Sequence, residues 1–312
     1  MAHRWLASGE RAWKPATVVS YRRALAPVRG VLGARLIQEL RKSDIETMVA
    51  MIEAASDRPS KTHRSPRTVA YSLLMLRMAL DGAVVDELIR RNPAEHVKPP
   101  KQEPREMATW TASEVQRFLT HVADDPLAGV WHLTALGMRR GEVLGVRWGD
   151  VDLDAGVVHV RQARVQAGRE VVTGRPKTDR GRRDVPLHPA AVEALKRTRQ
   201  ATVVGSAVVP LRAKRDDSRL IAVDAAGEPL TPQAYSTAFQ QHAEAAGLPR
   251  IRLHDVRHTA ATLMLAQGVP PVTVAGVLGH SPDVLLRVYA HALPEAKRDA
   301  VNLLGALYAA GA

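Results

Sequence analysis

A proline-rich segment constrains the fold of this chain more than any other feature. Three prolines fall within residues 97–104, and none of the residues between them favours a regular element. Because proline fixes φ and disfavours helix at the preceding residue, this segment is predicted to be an extended linker. A chain of 312 residues is long enough for about two domains. We therefore predict one domain over residues 1–97, a linker over 98–108 and a second domain over 109–312.

The charge of the chain is basic and unevenly distributed. The net charge is +12. Residues 1–105 contain 19 Lys and Arg against 11 Asp and Glu, whereas the rest contains 25 against 21. An excess of this size in a protein of ordinary hydrophobic content indicates a polyanionic partner, and inside a cell that partner is most often nucleic acid. The alternative, that the charge only aids solubility, stays open at this point.

Several classes of protein are excluded by composition. The chain has no cysteine, which excludes a disulfide scaffold, a thiolate zinc site and a cysteine nucleophile. No uninterrupted apolar run approaches the ~18–20 residues of a membrane span, and no apolar segment follows the N-terminal charges as in a secretory signal. We therefore expect a cytoplasmic, nucleoid-associated protein without a membrane partner.

The first domain is predicted to be helical throughout. Apolar residues recur at three- and four-residue spacing over residues 17–25, 44–48, 66–80 and 84–89. Ser43 is a predicted N-cap, and Ser65 followed by Pro66 predicts another helix start. A basic helical bundle suits phosphate contacts, although a helical module without a role on DNA remains an alternative.

The second domain is predicted to be mainly helical with a small antiparallel sheet. Thr111 and Glu114 form a capping box, and helices are predicted over 127–136 and up to Leu144. Strands are predicted within residues 156–166, 170–172 and 184–187, with a turn at 178–181 joining the last two. Further helices are predicted from residues 189, 231, 253, 269 and 281.

Several polar residues that could take part in catalysis or bind a metal lie close together late in the chain. His254 and Arg257 are three residues apart on one predicted helix, so both project from one face. His254 and His258 have the i, i+4 spacing of zinc ligands, but the glutamate of a metalloprotease helix is missing, so zinc is disfavoured. Gly279 is predicted to end a helix as its C′ residue, so that His280 emerges at the turn.

Taken in order, the motifs of this chain resemble those of the tyrosine recombinase family, the phage-type integrases. The resemblance spans nearly the whole chain and includes the spacing of nine residues between His280 and Tyr289. It rests on residues 135–142 around Arg139, 147–153, 176–187 around Lys177, 253–262 around His254 and Arg257, and 278–281 around His280.

The resemblance implies six catalytic residues and a reaction. The hydroxyl of Tyr289 would attack a DNA phosphorus to give a 3′-phosphotyrosyl link and a free 5′-hydroxyl. Arg139, Arg257 and His280 would bind the non-bridging oxygens, Lys177 would protonate the leaving oxygen, and His254 would assist as base or positioner. Glu142 would orient Arg139. The resemblance implies neither a metal ion nor another cofactor, and no Walker-type glycine loop occurs in the chain.

The resemblance also implies an architecture and partners. The first domain would be a helical core-binding domain that closes on double-stranded DNA together with an α+β catalytic domain. The C-terminal residues, with Val301, Leu304, Leu307 and Tyr308 at helical spacing, would form a helix that packs on its own domain or on a neighbour in a homotetramer. DNA-bending or directionality factors are possible accessory partners.

Two features depart from the family pattern. Many phage integrases carry an additional N-terminal arm-binding domain, whereas this sequence begins directly at what resembles the core-binding domain; we expect either a simple recombinase or a shortened chain. The segment 219–223 lacks the phenylalanine often present at the corresponding strand.

The leading hypothesis is a site-specific recombinase of the integrase or excisionase type. A dimer resolvase or transposon recombinase with the same chemistry is the alternative. A non-catalytic DNA-binding regulator and a metal-dependent nuclease are alternatives from other classes.

Overall fold

The chain forms two compact units, seen in a computed structural model. The structure describes residues 2–55, 64–102, 107–176, 181–204, 217–279, 281, 285, 301, 302, 304 and 308. One unit comprises Met1–Glu106 with Ala167–Glu170, and the other comprises Met107–Gln166 with Val171–Ala312. The linker proposed over residues 98–108 stays a prediction, because residues 103–106 lie outside the described residues.

The first unit is helical. Its helices are α1 (Ala2–Gly9), α2 (Pro15–Leu32), α3 (Lys42–Ala54) and α4 (Pro66–Val85), with a short 3₁₀ helix at Ile37–Glu39. One face of each helix contributes to a common core, because apolar side chains at three- and four-residue spacing line one stripe of a helix. The most buried core residues include Leu25, Ile45, Met48, Leu73 and Leu80.

The predicted helix ends of this unit are partly wrong. The Ser65 cap is confirmed, since its hydroxyl accepts a hydrogen bond from the Thr68 amide at 3.2 Å. Ser43 is not the cap of α3: the helix begins at Lys42, and Asp44 accepts from the Arg41 amide at 2.9 Å. No separate helix covers 84–89, because α4 ends at Val85 and the chain turns through Glu87 at φ 56°.

Helix α4 departs from the expectation that no segment of the chain is apolar enough to span a membrane. By length and composition alone, Pro66–Val85 is apolar enough to cross a bilayer. In this structure one face of the helix, including Val69, Leu73 and Leu76, is buried in the core of the first unit, whereas Leu74, Met78 and Val85 are exposed. Packing within the unit therefore accounts for part of its apolar character.

The second unit consists of helices and two small sheets. Its helices are α5 (Ala112–His121), α6 (Ala128–Ala135), α7 (Arg140–Val143), α8 (Pro189–Val204), α9 (Pro232–Ala245), α10 (Leu253–Ala266) and α11 (Pro271–Leu278). A 3₁₀ helix covers Trp148–Asp150. The predicted capping box is confirmed: the Thr111 amide donates to Glu114 at 2.7 Å, and the Glu114 amide donates to the Thr111 hydroxyl at 3.3 Å.

The strands form two sheets, not one. Strands β1 (Val151–Asp152), β2 (Val157–Val160) and β5 (Arg183–Pro186) form an antiparallel sheet in the order β1-β2-β5, with Val158 opposite Val185. Strands β3 (Ala163–Ala167) and β4 (Glu170–Gly174) pair separately. The strand predicted over 156–166 is therefore interrupted at 161–162. The predicted turn at 178–181 lies outside the described residues except for Gly181, and the strands on either side of it belong to different sheets.

An aromatic core fixes α6 and the turn that follows it. The rings of Trp131 and Tyr235 stack at a centroid distance of 4.6 Å, and the Tyr235 hydroxyl lies 2.5 Å from that of Thr134. A second cluster joins α10 and α11 through Ala261, Leu265, Val274 and Leu278.

The fold class predicted from the sequence, mainly helical with a small antiparallel sheet component, is confirmed.

Candidate active site

Arg139 is placed by a glycine turn after α6. Gly137 has φ 83°, a conformation that glycine adopts without strain. A Cβ at this position would lie 2.6 Å from Leu278 Cδ2 and 3.1 Å from Ala260 Cβ. The turn can therefore pack against α10 and α11 only because residue 137 has no side chain, and this packing brings Arg139 beside the end of α11.

The Arg139 side chain is held from two sides. Its amide and its Nη1 donate to the two carboxylate oxygens of Glu142, at 3.0 and 2.7 Å. Its Nη2 donates to the backbone oxygen of Gly279 at 2.8 Å. The side chain nevertheless keeps 36% of its surface exposed, so the oriented guanidinium can still meet a ligand from solvent.

Glu142 is a buried carboxylate between two arginines. Its carboxylate also accepts from Arg183 Nη2 at 2.9 Å. Burial by itself raises the pKa of Glu142, but the hydrogen bond and charge of Arg183, together with the charge of Arg139, outweigh burial and hold the pKa below its ordinary value. Glu142 therefore stays ionised near neutral pH, as expected for an acceptor that orients Arg139.

Arg257 reaches the same place from α10. Its side chain is buried, and its Nη1 donates to the Gly137 oxygen at 2.7 Å. Its Nη2 donates to the Leu278 oxygen. Arg139 and Arg257 are separated by more than a hundred residues in the chain, yet both bind backbone oxygens at the C-terminal end of α11, Leu278 and the capping residue Gly279.

The C-terminal end of α11 carries a concentration of positive charge. Three consecutive backbone oxygens, those of Val277, Leu278 and Gly279, accept from Arg183, Arg257 and Arg139 respectively. The last carbonyls of a helix lack intrahelical partners and carry partial negative charge, so cations are favoured there. Gly279 ends the helix at φ 66°, which confirms its predicted role.

His254 lies at the start of α10 and is exposed, unlike Arg257 on the same helix. Its ring is 5.0 Å from that of His258. Partial desolvation, followed by the charges of His258 and Arg257, lowers the pKa of His254. A neutral imidazole can accept a proton, which suits the base or positioning role implied for it. Within the described ranges, no three His, Asp or Glu side chains are grouped as metal ligands.

Three of the six predicted residues, Lys177, His280 and Tyr289, lie outside the described residues. The structure does describe the residues that flank two of them. Gly279 precedes His280 directly. Pro176 and Gly181 border the segment that contains Lys177, and a Cβ on Gly181 would lie 2.6 Å from Pro176 Cβ.

One residue of this site was not singled out by its sequence pattern. Arg183 appears in the motif around Lys177, but nothing in that motif distinguishes it from its neighbour Arg182. The difference is tertiary, because the Arg183 side chain is only 8% exposed whereas Arg182 is exposed. The available signal was a basic residue directly before the predicted strand 184–187.

The chain is similar to a known protein family and to several known proteins. The model described as "Phage integrase family" matches residues 109–296. The chain is 26% identical over 248 residues to the ICEBs1 integrase of Bacillus subtilis (strain 168), a match that covers 78% of this chain and 67% of that protein. It is 28% identical over 244 residues to the putative prophage phiRv2 integrase of Mycobacterium tuberculosis (strain CDC 1551 / Oshkosh), covering 78% and 63% respectively. The chain thus spans about two thirds of the first relative and less than two thirds of the second.

The fold has a close counterpart among solved structures. The Tn1549 transposon integrase in complex with transposon right end DNA superposes with a TM-score of 0.78. The match covers 97% of this chain and 98% of that chain at 20% sequence identity, so it shows the shared fold.

Proposed function

Because this chain belongs to the phage integrase family, we propose that it is a site-specific DNA recombinase that cuts and rejoins strands through a 3′-phosphotyrosyl intermediate. The observation that carries the proposal is the convergence of Arg139 and Arg257 on the C-terminal end of α11. Both are permanently charged, planar donors of the kind that suits the oxygens of a backbone phosphate, and Arg139 is partly exposed whereas Arg257 is buried at the same helix end.

Arg139 and Arg257 stabilise the transition state of the proposed reaction. Attack on phosphorus concentrates negative charge on the non-bridging oxygens, and fixed donors aimed at that charge lower the barrier without reorganising. The ion pair with Glu142 supports this role for Arg139, because it fixes the guanidinium before DNA binds. Electrostatic preorganisation is thus the main catalytic device of the site.

The remaining residues move protons and make the covalent bond. The Tyr289 oxygen loses its proton and forms a bond to phosphorus, while the bond from phosphorus to the 5′-oxygen breaks. Lys177 gives a proton to the leaving 5′-oxygen, and His280 donates a hydrogen bond to a non-bridging oxygen. His254, whose lowered pKa favours the neutral ring, assists as base or positioner. The phosphotyrosyl bond keeps the energy of the phosphodiester, so rejoining by a new 5′-hydroxyl requires no nucleotide.

A nicked suicide duplex tests the proposal. The duplex carries the repeats that flank the gene, and a nick near the cleavage position lets the short 5′-hydroxyl fragment diffuse away after cleavage. We expect an SDS-stable protein–DNA complex with the wild type and none with Tyr289→Phe, which removes only the nucleophilic oxygen. Absence of this complex with the wild type on a duplex that it demonstrably binds would contradict the recombinase and favour a DNA-binding regulator.

The same assay separates a metal-dependent nuclease from the proposed enzyme. A nuclease that uses metal-bound water leaves no covalent protein link and stops in EDTA. We expect covalent trapping to persist in EDTA, because the proposed nucleophile and charge stabilisers are side chains. Loss of trapping in EDTA would count against the phosphotyrosyl route.

We place the protein on double-stranded DNA in the cytoplasm, as a homotetramer when two sites are joined. Exposed apolar side chains near the C-terminus support assembly, since Val301, Leu304 and Tyr308 are 66%, 47% and 73% exposed. Their helical spacing forms one stripe, which suits packing on a neighbouring protomer. We expect Leu304→Asp to reduce the tetrameric fraction on paired sites, measured by light scattering, while single-site binding continues.

A further inference from the structure

Arg183 uses all three guanidinium nitrogens on three different segments of the chain. Its Nε donates to the Val277 oxygen at 2.6 Å, its Nη1 to the Gly181 oxygen at 3.2 Å and its Nη2 to Glu142 at 2.9 Å. The side chain is 8% exposed, so these bonds form away from water, where hydrogen bonds between ions are strong.

The three acceptors lie within four residues in the chain of residues of the proposed machinery. Val277 lies in α11 three residues before His280. Gly181 borders the segment 177–180, which begins with Lys177. Glu142 orients Arg139 through two hydrogen bonds. One buried side chain therefore joins α11, the residue before β5 and the carboxylate that orients Arg139.

We propose that Arg183 is a positioning residue of the recombination reaction, which holds Glu142, and through it Arg139, against the end of α11. This inference rests on the proposed function and deepens it, because it assigns the orientation of Arg139 to a buried residue outside the six predicted catalytic residues. The planar guanidinium of arginine can donate to three acceptors at once. A lysine has a single nitrogen at a different distance from the backbone and cannot contact all three.

Arg183 also balances a buried charge. The charged groups that the structure places against Glu142 are Arg139, from the turn before α7, and Arg183, from β5. The end of α11 contributes the backbone oxygens of Val277 and Gly279, which bind these arginines. Without Arg183, the carboxylate of Glu142 keeps one cation, and burial then raises its pKa. A protonated Glu142 holds Arg139 less firmly.

This consequence distinguishes positioning from a purely structural role. With Arg183 present, Glu142 is ionised over the working range, because the pKa is below its ordinary value. In Arg183→Met the cleavage rate should fall as the pH is lowered, through protonation of Glu142, and this acid limb should be shallower or missing in the wild type. A variant that is merely less stable contains less folded protein. The cleavage rate of its folded fraction, however, does not acquire a new dependence on pH.

The experiment measures single-turnover cleavage of the nicked suicide duplex at saturating protein. Displacing reacting groups by about 1 Å can cost about 100-fold in rate, so we expect a loss of that order in Arg183→Met, with DNA affinity within about twofold of the wild type. Arg183→Lys should recover part of the rate. The matched control is Arg182→Met, which removes the same charge from the exposed neighbour and should cleave at the wild-type rate.

A second variant covers the case in which Arg183→Met does not fold. Glu142→Gln combined with Arg183→Met removes both buried charges, so no carboxylate is left with a single partner. We expect this double variant to fold and cleave slowly, without the acid limb. Wild-type cleavage rates in either folded variant would overturn the positioning role. Failure of the wild type itself to form the covalent complex would instead overturn the proposed function.

Discussion

At the residue scale, the arginines of the site are fixed by backbone oxygens as much as by carboxylates. Arg139 and Arg257 were predicted from their motifs, and the structure places both at the end of α11. Their partners, Gly279, Leu278 and Gly137, are backbone groups that any residue type offers. A motif can therefore identify these arginines, but it does not show what orients them.

Gly137→Ala tests the turn that carries Arg139. The added methyl would meet Leu278 Cδ2 at 2.6 Å, and alanine strains the backbone at φ 83°. We expect a loss of about 1–3 kcal/mol in the free energy of unfolding, measured by urea denaturation. Gly276→Ala is the matched control, because nothing lies within 4 Å of its added methyl. Because alanine is favoured over glycine inside a helix, the free energy of unfolding of this control should rise by about 0.5–1 kcal/mol. Equal stability of the two variants would contradict the packing argument.

Arg139→Lys tests whether the fork geometry matters. The arginine binds Glu142 and Gly279 with different nitrogens and keeps part of its surface exposed. A lysine has one nitrogen and cannot meet all of these at once. We expect single-turnover cleavage to fall about 100-fold, as when a transition-state donor is lost, with DNA affinity nearly unchanged. Parallel losses of affinity and rate would instead place Arg139 in binding alone.

At the scale of secondary-structure elements, the local sequence predicted some helix ends correctly and others wrongly. Gly279, Ser65 and Thr111 act through bonds within three or four residues, and all three predictions are confirmed. The start of α3 was predicted at Ser43, but Asp44 closes the first turn from inside the helix, which a search for a preceding cap overlooks. The end of α4 depends on a turn at Glu87 that has no glycine or proline signature.

Helix α6 contains a buried histidine whose protonation should destabilise the fold. Desolvation, followed by the charges of His188 and Arg197, lowers the pKa of His132 from 6.5 to about 4. The folded state therefore binds fewer protons than the unfolded state between these pH values, and stability falls as the pH is lowered through them. The Nδ1 atom of His132 has no hydrogen-bond partner among the described residues.

His132→Leu removes this titration. Between pH 7 and pH 5 the wild type should lose about 2 kcal/mol more than the variant, as measured by urea unfolding at both pH values. His96→Leu, at an exposed histidine of the first unit, is the control for loss of one histidine. Equal pH dependence of the wild type and His132→Leu would show that His132 does not titrate in this way.

At the scale of the whole molecule, charge and chemistry belong to different units. The basic excess lies mostly in residues 1–105, whereas the arginines of the site and Glu142 lie in the second unit. Most contacts of a DNA-binding protein are to phosphates and give affinity without sequence information. We therefore expect affinity to be governed mainly by the first unit and turnover by the second.

The salt dependence of DNA binding tests this division. The logarithm of the binding constant should fall with the logarithm of salt by about 0.9 for each phosphate neutralised. Arg23→Gln with Arg29→Gln, both exposed on α2, should flatten this slope by up to about 1.8. The control is Arg117→Gln with Arg250→Gln, which removes two exposed charges from the second unit. Fluorescence anisotropy over a KCl series gives both slopes, and equal flattening would contradict the division.

The sequence by itself determined the family and the helical character of both units, and it singled out Arg139 and Arg257 as candidate site residues, because these follow from local periodicity and ordered motifs. Tertiary structure decided that the strands split into two sheets, that Arg257 is buried while His254 is exposed, and that Arg183 and not Arg182 joins the site. The physical reason is that burial and hydrogen-bond acceptors come from distant segments. The oxygens of Val277, Leu278 and Gly279 become available to three arginines only when α11, β5 and the turn at Gly137 pack together.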